Sequence, residues 1–257
     1  MAVAPNVRAT VEEQLGVHSN IDWVVEQGAP VGPQVYQVLR ARIIRAELPP
    51  GAQVSETEIA RAFSLSRQPV REAFIKLADD GLVEVRPQRG TLVRKINIAS
   101  VMDARFVREA VEADIAKLVA ELHDPDVITD LRAQVEAQRQ VVDRAEEFMK
   151  LDELFHRSLA VAAGKSQVFK MVTSVKAHMD RVRYLTLMHR SVIVQSIEQH
   201  EKIVDAVERG GKEEADSAMR IHLRQILIDL PHVAKMKPEF FDDLPNPPNQ
   251  TTSGRER

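Results

Sequence analysis

From Thr91 to Ala163 the chain contains no glycine and a single proline, while apolar residues recur every three to four positions throughout. An all-β chain needs a turn signal every 8–12 residues or so, and this stretch does not supply them. The pattern fits long amphipathic helices. Continuing to the C-terminus, six helical segments are expected, at about 99–122, 126–144, 146–163, 166–188, 192–209 and 212–230. Asp124-Pro125, Gly164-Lys165, His189-Arg190 and Gly210-Gly211 separate them. A mainly α protein follows, most of it an all-helical antiparallel bundle. The chain from residue 233 to residue 257 reads as a proline-rich, polar tail.

Ahead of the bundle the texture differs. Residues 1–30 show no sustained periodicity and read as a mobile arm, with Trp23, Val24 and Val25 as a small packing patch. Residues 31–95 carry short, punctuated elements. Val35, Val38, Leu39, Ile43 and Ala46 fall at helical spacing, and Pro49-Pro50-Gly51 stops that helix. Ser55-Glu56-Thr57-Glu58 is a capping box opening a second short helix. Ser66 is placed to cap a third, with Pro69 in its first turns and Gly81 at its end. Leu82–Arg86 and Gly90–Val93 are β-type runs about the turn Pro87-Gln88-Arg89. Three short helices followed by a hairpin form the outline of a winged helix–turn–helix.

Charge follows the same division. The chain has a net charge of −3, but residues 31–95 hold +4 and residues 96–257 hold −4. A compact basic module beside an acidic one is the footprint of a nucleic-acid reader. The absence of cysteine removes disulfides, thiol catalysis and zinc ribbons, and fits a reducing compartment. No run approaches the ~18 apolar residues of a membrane span, and no signal pattern opens the chain. A cytoplasmic protein without a membrane partner is expected.

The third helix begins Ser66-Arg67-Gln68 and continues Val70-Arg71. Arg67 and Arg71 lie one turn apart on one face, so both can enter a single DNA groove, where arginine reads guanine and Gln68 can pair with adenine. Arg86, Gln88, Arg89 and Gly90 give the hairpin a basic, flexible tip suited to a minor groove or a phosphate. The run SETEIARAFSLSRQPVREAFIKLADDGLVEVRPQRGTLV resembles the N-terminal domain of the GntR family of bacterial transcription regulators. That resemblance implies contact with a double-stranded DNA operator through Ser66, Arg67, Gln68, Arg71, Gln88, Arg89 and Gly90. Thr57 stands where the family's fatty-acid regulator has an arginine. Because one recognition helix reads only a few base pairs, a homodimer on a short palindrome is expected.

The helical half carries a second constellation. Asp152 and His156 are four residues apart on one helix and flank the stripe Phe148, Phe155 and Leu159. His200 lies within the stripe Ile193, Ile197, Val204 and Val207, and His222 lies beside Ala215, Ala218 and Ile226. A lone histidine on such a stripe is more often a hydrogen-bonded core residue. Three histidines and an aspartate directed inward from three helices instead suit a divalent metal, zinc first, with Ni, Mn or Fe as alternatives. The runs DELFHRSLAVAAGKS and IEQHEKIVDAVERGGKEEADSAMRIHL resemble the FCD effector domain of the FadR branch of the same family. The resemblance implies that Asp152, His156, His200 and His222 hold the cation. Arg108 and Glu112 match the family's R-x-x-x-E, and Arg181 and Arg183 lie on the helix before the last metal histidines. Arg108 and Arg181 are the expected clamps for a small carboxylate effector, a sugar acid being the expected kind. The competing class is a metal-dependent enzyme acting on small carboxylates with the same cluster. It finds no H-E-x-x-H and no nucleophile elbow here, and it leaves the winged helix unexplained.

Overall fold

A computed structural model describes residue 25 and residues 28–86 and 90–242. Most of the expected arm and the final residues 243–257 lie outside the described residues, as do Gln88 and Arg89 at the hairpin tip. The first unit consists of α1 (Val31–Ile44), β1 (Gln53–Val54), α2 (Glu56–Ala62), α3 (Arg67–Asp79), β2 (Val83–Arg86) and β3 (Gly90–Val93). β3 pairs antiparallel with both neighbours, giving the order β1-β3-β2 with Glu84 opposite Leu92 and Gln53 opposite Leu92. The two residues of β1 were not legible as a strand, because a strand so short has no alternation to read.

Ser55 caps α2 by accepting the Glu58 amide at 3.5 Å. Ser66 occupies the N-cap position of α3 in extended backbone, but its hydroxyl makes no cap bond, which corrects the expected role and leaves the side chain exposed. Val35, Leu39, Ile43, Val70, Phe74, Leu77 and Leu82 are buried together beneath the wing. Each large apolar side chain so removed from water is worth about 1.5–3 kcal/mol.

The second unit begins with β4 (Ile96–Asn97) and continues through α4 (Ile98–Leu122), α5 (Pro125–Arg139), α6 (Ala145–Ala162), α7 (Ser166–Val175), α8 (Ala177–Leu187), α9 (Arg190–Glu208), α10 (Lys212–Leu223) and α11 (Ile226–Met236). Its core is built from Ala116, Leu131, Phe148, Phe155, Leu159, Ile203 and Val207. Three of the expected helices differ. The second ends at Arg139, because the backbone changes to i→i+3 bonds from Gln140 to Ala137 and from Val141 to Gln138, turning Val141 into the core. The expected 166–188 segment breaks at Lys176, whose side chain turns inward to Glu153 and Asp180. The expected 212–230 segment breaks at Arg224-Gln225, again through i→i+3 bonds.

The tail boundary after residue 232 is also corrected. α11 runs on to Met236, a 3₁₀ turn spans Pro238–Phe240, and β5 (Phe241–Asp242) pairs in parallel with β4. Phe241 is held there by a small core with Ile96, Val101, Met179, Val182 and Leu230. No helix among the described residues is long and apolar enough to cross a membrane.

Candidate metal centre and nucleic-acid interface

α6 carries Asp152 and His156 one turn apart, so both point into the bundle, and α9 and α10 bring His200 and His222 to meet them. All four side chains are buried, and one potential ligand atom from each lies within 4.8 Å of the others. His222 Nε2 is 3.2 Å from His156 Nε2 and 3.3 Å from His200 Nε2, and His200 Nε2 is 3.5 Å from Asp152 Oδ1.

The outer ring nitrogens decide what this convergence means. His200 Nδ1 faces Gln138 Oε1 at 2.7 Å, His222 Nδ1 faces Gln199 Oε1 at 2.9 Å, and His156 Nδ1 lies 2.6 Å from Glu112 Oε2. Each outer partner is an oxygen that accepts, so each outer nitrogen is assigned the proton as the tautomer that suits it. The three Nε2 atoms then present lone pairs to one another. Three lone pairs and a carboxylate oxygen within this distance repel unless a cation lies among them, so the donor set fits a divalent metal.

The electrostatics agree. Burial resists ionisation of Asp152, yet the Arg183 guanidinium, with its Nη2 2.7 Å from Oδ1, outweighs burial and holds the carboxyl well below its usual range. Burial likewise opposes ionisation of Glu112, but Arg108 and His156 hold it below the carboxylate range. Arg108 donates from Nε to Glu112 Oε1 at 2.6 Å and from Nη2 to Oε2 at 3.3 Å. Burial pushes His200 down to about 3, and pushes His222 well below the ordinary imidazole value, so both imidazoles are neutral and able to bind metal.

A cavity of about 20 Å³, room for roughly one water, opens beside the cluster and is lined in part by Arg108, Arg183, Ser196, His222, Gln225 and Asp229. Arg181 is not among its walls. Its Nη1 donates to Arg94 O at 2.8 Å, in the connection between the two units, and burial lowers its pKa to about 10. Of the two arginines of α8, Arg183 lies beside the cluster and the expected clamp Arg181 does not, the two being on opposite sides of the helix. Gln138, Gln199 and Asp229 were missed. Gln138 did carry a signal, since it continues the buried stripe Ile128, Leu131 and Val135 of α5.

α8 also reaches the first unit. Asp180 accepts from Arg40 of α1 at 2.8 Å and from Lys176 at 2.9 Å. His178 Nδ1 accepts the Asn97 amide at 3.1 Å, and its Nε2 lies against Gly81, the residue at the end of α3 whose φ of +73° suits glycine. The same helix therefore touches Asp152 of the buried cluster, the connection and the far end of the third helix.

On that third helix, Val70, Ala73, Phe74 and Leu77 face inward while Arg67, Gln68 and Arg71 are exposed. Arg67 Nη2 lies 3.3 Å from Glu56 Oε2 and Gln68 donates to Glu72 at 3.0 Å, both contacts on the open surface. Gly90 is exposed at the start of β3 with a φ of +85°.

Comparison with known proteins follows the same division. Residues 32–93 match the model of the bacterial regulatory proteins of the gntR family, and residues 103–225 match that of the FCD domain. The HTH-type transcriptional repressor RspR of Escherichia coli K12 is 34% identical over 216 residues, covering 83% of this chain and 95% of that protein. An uncharacterised HTH-type regulator from an unstable DNA locus of Streptomyces ambofaciens is 41% identical over 208 residues, covering 80% and 88%. The solved structure of E. coli McbR/YncC superposes with a TM-score of 0.69 at 18% identity, covering 79% of this chain and 98% of that one, a likeness of fold.

Proposed function

The chain belongs to the GntR family of bacterial regulatory proteins, with an FCD domain behind its winged helix, and from that membership we propose a repressor released from a short palindromic operator when a small organic acid of the sugar-acid kind binds at its metal centre. It is a DNA-binding transcription regulator and not an enzyme. In this reading Arg67, Gln68 and Arg71 read bases, Ser66 contacts the backbone, and Gln88, Arg89 and Gly90 form the wing contact. A homodimer presents two such surfaces to the two half-sites.

Asp152, His156, His200 and His222 would hold the cation, with zinc the metal best suited to three imidazoles and a carboxylate, and Ni, Mn or Fe as the alternatives. The observation that carries this reading is the triple convergence of Nε2 atoms, each backed by an oxygen on its outer nitrogen. A bound divalent cation supplies a Lewis-acidic anchor for a carboxylate oxygen. Arg108 and Arg183, already beside the cluster, would orient that carboxylate.

The cavity holds about one water, so an organic acid must part α8 from α11 to enter. Moving α8 disturbs the Asp180–Arg40 and His178–Asn97 contacts, which is how a bound acid would alter the set of the winged helix. Moving a population from almost fully bound to almost fully free takes about 5.5 kcal/mol of differential binding, or roughly half that per subunit of a dimer. Metal analysis of the purified protein tests the centre, with about one equivalent per chain expected. Unchanged metal content in a His200→Ala, His222→Ala double variant would contradict it.

A further inference from the structure

β3 ends at Val93 and β4 begins at Ile96, so Arg94 and Lys95, both exposed, are the whole length of chain between the wing and the helical unit. What fixes this connection comes from elements distant in sequence. On the wing side the Arg94 amide donates to Leu82 O at 2.9 Å. α8 grips it next, through Arg181 Nη1 on Arg94 O at 2.8 Å and His178 Nδ1 on the Asn97 amide at 3.1 Å. β5 then holds β4 from a segment beyond the residues matched by the FCD model, with Phe241 opposite Ile96 and Asp242 opposite Asn97. A ladder of two residues does not persist in water unaided, so something else must keep β5 in place. The Phe241 ring does so. It is 3% exposed and packs with Ile96 of β4, Val101 of α4, Met179 and Val182 of α8 and Leu230 of α11. Asn97 Nδ2 also donates to Asp242 Oδ2 at 3.4 Å. Burial lowers the Arg181 pKa and the Asp242 charge opposes that lowering, so β5 supports the very arginine that grips Arg94.

We propose that residues 238–242 are a strap over the connection and that Phe241 is its positioning residue, fixing the winged helix on the helical unit and thereby the half-site spacing that the protein accepts. The spacing rests on the reading of the protein as a dimer on a palindrome. Two recognition helices carried rigidly fit half-sites at one distance and one helical phase. Heads that swing on a two-residue hinge reach several spacings and lose the affinity that a fixed geometry gives at the matched one. The pairs Arg40–Asp180 and Arg45–Glu146 also join the units, but long charged side chains can follow a moving partner. A ring packed in an apolar core has one seat.

Trypsin cuts after arginine and lysine, so Arg94-Lys95 reports on its own release. A protease needs extended backbone free of its ladder, and cutting there requires β4 to open. In the full chain, Phe241→Asp puts a charge in the apolar seat and should speed cleavage at Arg94-Lys95 at least about tenfold relative to cleavage elsewhere. Phe241→Leu, which keeps an apolar side chain, should restore most of the protection, and Phe241→Ala serves if the aspartate variant fails to fold. The second readout is binding to the footprinted operator and to the same DNA with two base pairs added at its centre. Wild type should prefer the natural spacing at least about tenfold, and Phe241→Asp by no more than about threefold. Unchanged cleavage of the connection in Phe241→Asp overturns the strap. Faster cleavage with the spacing preference intact overturns its control of half-site spacing. A wild type indifferent to the added base pairs overturns the dimeric reading, and with it the control of spacing, whatever the protease shows.

Discussion

At the scale of single residues, the proposed metal centre would depend on side chains that never meet the metal. Gln138 and Gln199 each hold one imidazole by its outer nitrogen, fixing the ring orientation and the tautomer. Gln138→Leu should therefore weaken zinc binding by about 10–100-fold without removing a ligand, as read by competition with a chromophoric chelator. Affinity within twofold or so of wild type would mean the amide is only a core filler. His178 gives a second prediction. Burial first, and the neighbouring Arg181 second, lower its pKa to about 4, and it accepts the Asn97 amide as a neutral ring. The unfolded chain takes up a proton near pH 6.5 that the folded chain refuses until about pH 4. Stability from this residue is complete above pH 6.5 and is lost as the pH falls toward 4, by up to about 3 kcal/mol. His178→Asn should flatten the dependence of melting temperature on pH between 7 and 4.5. An unaltered slope would place the titration elsewhere.

At the scale of elements, α3 and α8 have opposite designs. α3 exposes Arg67, Gln68 and Arg71 over an apolar underside, so Arg67→Ala or Arg71→Ala should leave the melting temperature unchanged. Each should cost about 1–3 kcal/mol of operator binding and reduce the discrimination against unrelated DNA. Footprints of wild-type affinity from either variant would remove α3 from the groove. α8 is buried on several sides and joins Arg183, Arg181, Asp180 and His178 to four different parts of the molecule. Arg40→Met deletes its tie to α1 and leaves Asp180 with Lys176 as partner. Operator affinity should persist in that variant while carboxylate-driven release falls, as read by gel shift with and without the acid. Full release in Arg40→Met would remove this contact from the signal path.

Over the whole molecule, the order and kind of elements were legible because periodicity and punctuation are local properties of a chain. The convergence of Asp152, His156, His200 and His222 was legible because Asp152 and His156 share one helix face and His200 and His222 interrupt apolar stripes. The breaks at Lys176 and Arg224-Gln225 were not legible, since no glycine or proline marks them and each follows from tertiary contacts. For the same reason the sequence pointed to Arg181 and passed over Arg183. Both lie on the approach to the site, and only the turn of α8 sends one to Arg94 and the other to Asp152. The short strand β5, which returns the chain to β4, depends on a pairing 145 residues distant and has no local signature.

In the proposed function the metal centre and the operator surface are two ends of one equilibrium, so the most direct measurement follows both in one titration. Fluorescence anisotropy of labelled operator would be recorded as sugar acid is added to the wild type and to the His200→Ala, His222→Ala double variant, each with and without Zn²⁺. Release is expected from the zinc-loaded wild type, little release from the metal-stripped wild type, and none from the double variant, with initial operator affinity preserved in all. Release of the double variant at the same acid concentration as the zinc-loaded wild type would contradict that coupling.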